Sequence, residues 1–164
     1  MKKFAVLVFI FMSLCAVAAA RDYRIVQRVV DGDTLKLDNG ERVRLIGVDT
    51  PETVHPGKPV QYFGKEASAF TKRMCQGKKV RLEYDLQKKD KYKRTLAYVY
   101  LEDGTFLNAE IIKQGYGHAY TRFPYKYLDE FRRYEKEARE KEAGLWAPDS
   151  LTDDPNKKKA VKTR

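Results

Sequence analysis

The stretch Arg42-Val43-Arg44-Leu45-Ile46-Gly47-Val48-Asp49-Thr50-Pro51-Glu52 constrains the fold most tightly, because an apolar strand pattern there ends abruptly in two carboxylates and a proline. Val43, Leu45 and Gly47 alternate with Arg44, Ile46 and Val48, so a strand here is covered on both sides for part of its length. Pro51 has no N–H for a sheet ladder and drives Thr50 toward an extended conformation, so the strand is expected to stop at Asp49 and the chain to turn. Asp49 and Glu52 would then leave a strand end that a core holds rigid. Thr50-Pro51-Glu52 also fits an N-cap, an N1 proline and a first-turn acid opening a helix. Both readings are open at this point.

Upstream, Tyr23 to Val30 is rich in β-branched residues and reads as a first strand, and Thr34-Leu35-Lys36-Leu37 as a second. Between them lies a second acidic group, Asp31-Gly32-Asp33. Alone, such a triplet is ordinary turn chemistry. Asp38-Asn39-Gly40 is a hairpin signal leading into the strand from Arg42 to Val48. In three consecutive antiparallel strands, Asp33 at the start of the second and Asp49 at the end of the third fall at the same end of the sheet.

Val54 to Val60 carries two prolines and a glycine and reads as a loop. A helix is expected from Tyr62 or Gly64 to Cys75, with Phe63, Ala67, Phe70 and Met74 on its core face and Gly77 as its stop. Val80 to Tyr84 and Thr95 to Leu101 give a fourth and a fifth strand, joined by a polar segment from Asp85 to Arg94. Asn108 is placed to cap a short helix from Ala109 to Gln114 that Gly115 ends. A last helix, Tyr127 to Ala143, turns Leu128, Phe131, Tyr134 and Ala138 inward and a charged face outward, and Leu145-Trp146 is expected to fold back on the core. Short strands with interspersed helices make this an α+β, mainly β chain: a small Greek-key barrel closed by helices.

Length and charge set the frame. The 164 residues suit one compact domain. Lys2-Lys3 and the apolar run Phe4 to Ala20 read as a secretory signal peptide with cleavage after Ala18 or Ala20. The expected organisation is therefore residues 1–20 as signal, 21–147 as the folded domain, and 148–164 as a basic, disordered tail. Removing the signal leaves Cys75 as the sole cysteine, so no internal disulfide is available, and no partner motif marks Cys75 as a nucleophile. The formal charge of +10 falls to +8 without the signal's two lysines, which favours polyanionic partners. His55 and His118 lie outside the acidic segments and lack metal-ligand spacing.

The acidic positions offer only oxygen donors. Carboxylates brought together repel unless a cation sits between them, and an all-oxygen set suits a hard ion such as Ca²⁺. Arginine supplies planar, permanently charged contacts to a phosphate in a way lysine does not, which singles out Arg44 and Arg94.

Asp31-Gly32-Asp33-Thr34, Arg44 through Glu52, Lys65 through Lys72, Asp90-Lys91-Tyr92-Lys93-Arg94 and Leu96 through Tyr100 together resemble the successive motifs of the staphylococcal nuclease (thermonuclease) family, over about Ile25 to Trp146. The resemblance implies an OB-fold, a five-stranded barrel with about three helices. It implies a Ca²⁺-dependent endonuclease that cuts DNA and RNA to 3′-phosphate products. Carried over to this chain, Asp33, Asp49 and the Thr50 carbonyl bind Ca²⁺, Glu52 is the general base, Arg44 and Arg94 clamp the phosphate, and Lys91, Tyr92 and Tyr120 contact the nucleotide. A secreted or periplasmic monomer is implied, with no stable protein partner and no membrane association after signal removal. Two positions depart from the family pattern: Lys93 replaces a glycine before the arginine, and Arg122 stands near a second tyrosine's place. A non-catalytic OB-fold nucleic-acid-binding protein is the alternative, and a basic cell-surface module a further one. The joint presence of Asp33, Arg44, Asp49, Glu52 and Arg94 favours the enzyme.

Overall fold

The computed structural model describes residues 23–53 and 59–148. The expected signal peptide, most of the loop after Thr53 with His55, and the basic tail lie outside the described residues. Within them, β1 (Tyr23–Asp31), β2 (Thr34–Leu37) and β3 (Arg42–Leu45) form an antiparallel meander. β6 (Thr95–Leu101) then pairs in parallel with β3, and β5 (Lys79–Glu83) joins β6 to β1, closing a barrel in the order β1-β2-β3-β6-β5. This is an OB-fold.

The inner row is set by strand alternation. Val29, Leu35 and Val43 stand opposite one another across β1, β2 and β3 and are buried, as are Val80, Ala97 and Val99 on the closing strands. α1 (Gly64–Cys75) and α2 (Leu107–Lys113) pack around this core, and α3 (Leu128–Glu140) brings Phe131 into it. Cys75 is fully buried, its thiol bonded to the Thr71 carbonyl and pushed up to about 12 by burial, which fits an inert core residue. Leu145 is buried, as expected of a segment folding back.

The strand at Arg42 does not run to Val48. β3 ends at Leu45, Gly47 adopts a left-handed φ of 74°, and Val48–Asp49 restarts as β4, paired with β7 (His118–Ala119) in a separate two-stranded sheet. A side chain at Gly47 would meet the Tyr125 ring at 2.6 Å, so both the turn and the packing require glycine. Thr50-Pro51-Glu52 follows as a loop, not as the start of a helix.

Asn108 is no cap. It lies inside α2, fully buried, where its Oδ1 accepts the Val99 N–H at 2.9 Å and its Nδ2 donates to the carbonyls of Ile46 at 2.9 Å and Ala97 at 3.3 Å. The helix starts at Leu107, two residues before the expected Ala109, and the Asn108 side chain is taken by the barrel. Phe63 stands just before α1 with φ 63°, its ring 5.6 Å from Tyr116, and α3 stops short of Ala143, with the left-handed residues Glu142 and Gly144 just beyond it.

Candidate active site

The β1–β2 turn carries the first acids. The Gly32 N–H donates to Asp31 Oδ1 at 2.9 Å, and the Gly32 carbonyl accepts the Thr71 hydroxyl of α1 at 2.7 Å. A Cβ on Gly32 would come within 2.6 Å of the Thr50 hydroxyl, so the absent side chain is what lets the segment after β4 lie over the turn. Both acids then stitch that segment down. Asp33 accepts the Thr34 hydroxyl at 2.9 Å, the Thr50 N–H at 3.1 Å and the Thr50 hydroxyl at 3.2 Å. Asp31 accepts the Thr53 hydroxyl at 2.6 Å. Asp33 is thus a structural tie as well as a candidate ligand.

Glu52 sits between these anchors. Its N–H donates to Gln61 Oε1 at 2.8 Å and its carbonyl accepts the Gln61 N–H at 2.9 Å, so a reciprocal clamp fixes the backbone that carries the carboxylate.

The two arginines are held differently. Arg44, on β3 opposite Thr34, is half-buried; its Nη1 lies 2.8 Å from Asp33 Oδ2 and 2.7 Å from the Val48 carbonyl, and its Nη2 3.3 Å from Asp49 Oδ1. One guanidinium therefore bridges the barrel to the strand that left it. Arg94, just before β6, is aimed by Asp90, which accepts the Arg94 Nε–H at 2.7 Å and its backbone N–H at 3.0 Å. Burial raises the Asp90 carboxyl, but these bonds outweigh it and hold the group below the usual range. Arg94 Nη1 reaches the Thr34 hydroxyl at 3.5 Å. Lys93 just before it adopts φ 62°, the left-handed region that glycine takes without strain.

A cleft of about 580 Å³ unites Asp33, Arg44, Asp49, Thr50, Glu52, Tyr92 and Arg94, seven of the nine residues expected at the site. Lys91 is not on its wall, but its Nζ lies 5.1 Å from the ring centre of Tyr92, at the rim. Tyr120 is also off the wall; its N–H bonds the Gly47 carbonyl at 3.0 Å, and its ring centre is 6.1 Å from that of Phe123. His118 lies 3.3 Å from Glu135 and is also the cross-strand partner of Asp49, whose carboxylate its charge favours.

The cleft is short of positive charge. Burial raises the Asp31 carboxyl to about 6, helped by its hydrogen bond with Glu52. Burial also raises Asp49, with Arg44 opposing and the Asp33 charge adding to the rise. Asp31, Asp33, Asp49 and Glu52 supply oxygen donors only, the set that suits Ca²⁺. Among the described residues no three acid, histidine or cysteine side chains converge as a ready-made cage. Asp33, Asp49 and the Thr50 carbonyl are the oxygen groups at this cleft that could hold a metal, a set that an ion of flexible coordination accepts.

Three residues that position the site carry no role in the sequence reading. Asp31 stands in the acidic triplet, and what marks it, its contact with Glu52, spans the whole hairpin. Asp90 opens a motif already singled out, and its spacing of four from Arg94 is a readable ion-pair signal. Gln61 acts from nine positions beyond Glu52 and has no local signature.

Residues 42–148 match the family described as staphylococcal nuclease homologue. The chain is 51% identical to a thermonuclease of Staphylococcus intermedius over 126 residues, 74% of each chain. It is 46% identical to a thermonuclease of Staphylococcus hyicus over 134 residues, 79% of this chain and 78% of that one. With the endonuclease YncB of Bacillus subtilis it shares 41% over 126 residues, 73% of this chain and 59% of that one.

Proposed function

The chain belongs to the staphylococcal nuclease family and is a nuclease, and from that premise we propose a Ca²⁺-dependent endonuclease that hydrolyses both DNA and RNA to products bearing a 3′-phosphate. What supports this is the cleft: Glu52, on a clamped loop, faces the same cavity as Arg44 and Arg94, both of which adjoin Thr34.

Glu52 takes a proton from the attacking water, a general-base role that contributes roughly 10²- to 10⁴-fold. As the water oxygen adds to phosphorus and the bond to the 5′ oxygen breaks, charge builds on the non-bridging oxygens. Arg44 and Arg94 meet that charge with planar donors and stabilise it more than the ground state. The departing 5′ oxygen takes its proton from solvent. Asp33, Asp49 and the Thr50 carbonyl would hold Ca²⁺, which when bound supplies a Lewis acid beside the phosphate. Asp31 restrains the Glu52 segment through Thr53, and Asp90 aims Arg94. Tyr92, Lys91 and Tyr120 receive the neighbouring nucleotide, where aromatic stacking tolerates many sequences. The mature enzyme is exported as a monomer, secreted or periplasmic, beginning after Ala18 or Ala20.

The test is an assay of the purified protein on single-stranded DNA and on RNA, in Ca²⁺, in Mg²⁺ and in chelator, with product ends mapped. Cleavage of both substrates in Ca²⁺, little in Mg²⁺ and none in chelator is expected. Full activity in chelator, or 5′-phosphate ends, overturns the mechanism. N-terminal sequencing of exported material tests the signal peptide.

A further inference from the structure

Leading away from the cleft, the outer face of the barrel carries an ordered row of cations. Arg28 on β1 stands directly opposite Lys36 on β2, and Lys36 directly opposite Arg42 on β3. Residues paired in this way project from the same face of a sheet, and adjacent strands lie about 4.8 Å apart, so three positive side chains cross about 10 Å of surface. Arg28 and Arg42 are exposed and Lys36 is half-buried between them. Among the described residues none of the three has a carboxylate partner. Glu41, next to Arg42 in sequence, accepts from the hydroxyl of Thr95 and from Asn39 Nδ2.

Like charges directly opposite one another in a sheet oppose folding. The row is also continuous with the cleft. Arg42 lines the cleft, and Val30 lines both the cleft and a second cavity of about 400 Å³ whose wall includes Arg28 and Lys72. The row lies one pleat, about 6.8 Å, from the strand positions of Thr34 and Arg44.

We propose that Arg28, Lys36 and Arg42 form a phosphate track for the part of a nucleic-acid strand that runs out of the cleft, with Lys72 at its far end. The proposal rests on the nuclease reading above and adds to it that binding extends beyond the scissile phosphate, onto the β1-β2-β3 face. A strand laid on the row converts its mutual repulsion into attraction, and each phosphate neutralised there releases counterions. No base is read, so the track serves length and not sequence.

The test is binding, measured in chelator so that nothing is cut, of a dinucleotide and of a single-stranded DNA of about 12 nucleotides, a usual site length for such folds. The double variant Arg28→Gln/Lys36→Gln should bind the dinucleotide as the parent does. Its affinity for the longer strand should fall several-fold, and the slope of log affinity against log salt should become shallower by about 1.4, two phosphates' worth. Lys36→Gln alone should give half that change, and Arg28→Lys none. Melting temperature should not fall in either variant, since removing one or two of three facing cations relieves repulsion. The control Arg133→Gln/Lys136→Gln removes two charges from α3 and should leave the slope as it was. Equal slopes in parent and double variant overturn the track. An equal loss in the α3 control overturns it too, because net charge then accounts for the effect. If the parent fails to cut any substrate in Ca²⁺, the nuclease reading falls, while the binding comparison still decides the track.

Discussion

Asn108 and Asp31 are both buried polar residues of this barrel, and the difference between them separates scaffold from site. Every bond of Asn108 is matched: one acceptor meets an N–H and two donors meet carbonyls, tying α2 to β6 and to the turn that ends β3. Asp31 is supplied with donors too, from Gly32 and Thr53, yet it lies against the Glu52 carboxylate and its own carboxyl is raised to about 6. A satisfied network of uncharged groups rigidifies, whereas a cluster of carboxylates stores electrostatic free energy that a cation can release. The two regions touch through Ile46, whose carbonyl Asn108 holds just before the chain turns toward Asp49. The rigid knot thus aims the unbalanced cluster.

The largest effect that would sharpen this contrast is loss of chemistry without loss of fold. Glu52→Gln should lower kcat by roughly 10²- to 10⁴-fold with nucleotide binding nearly kept. Single-turnover rates and inhibitor affinity check it, and near-parental turnover would refute the assigned base.

At the other region the order reverses. Asn108→Leu takes the partner from the Val99 N–H and the Ile46 carbonyl in the core, while the Ala97 carbonyl keeps the Ile46 N–H, and should cost about 3 kcal/mol of stability, given about 1–3 kcal/mol per buried unsatisfied group. Urea unfolding with an unchanged m-value reads it. A loss below about 1 kcal/mol would mean the knot is not what braces the turn.

Asp31→Asn should stabilise the metal-free protein. A carboxyl whose folded pKa of about 6 exceeds its usual 3.8 makes no charge cost below the lower value and its full cost above the higher one. The variant's advantage should therefore be absent near pH 3.5, grow between pH 4 and 6, and settle at about 1 kcal/mol once solvent screening is allowed for. Thermal melts across that range would show it, and an advantage that shrinks as pH rises would break the electrostatic account of the cleft.

The smallest effect concerns the loop that carries Arg94. A left-handed non-glycine residue costs about 1–2 kcal/mol, partly offset by the flexibility glycine adds to the unfolded chain, so Lys93→Gly should gain at most about 1 kcal/mol. Because Asp90 and not Lys93 holds the guanidinium, kcat should change little. A large drop in kcat would show that Lys93 itself acts in the site.

Much of the barrel was legible because strand alternation and turn chemistry are local. Val29, Leu35 and Val43 alternate with polar neighbours, Asp38-Asn39-Gly40 is a hairpin tip wherever it occurs, and Thr95 to Leu101 is apolar enough to be a central strand. The acids and arginines of the site were legible for a related reason: charges of fixed type at the ends of strands stand out against an apolar pattern. Tertiary structure alone decided what depends on partners distant in sequence. It broke the Arg42 strand at Gly47, because the rings of Tyr125 and Phe131 occupy the space a side chain there would need. It took Asn108 from the cap position, because the carbonyl of Ile46 and the N–H of Val99 required a partner more than the helix end did. It also joined Gln61 to Glu52 and aligned Arg28, Lys36 and Arg42, since reciprocal bonding across a loop and cross-strand register exist only once the sheet has closed.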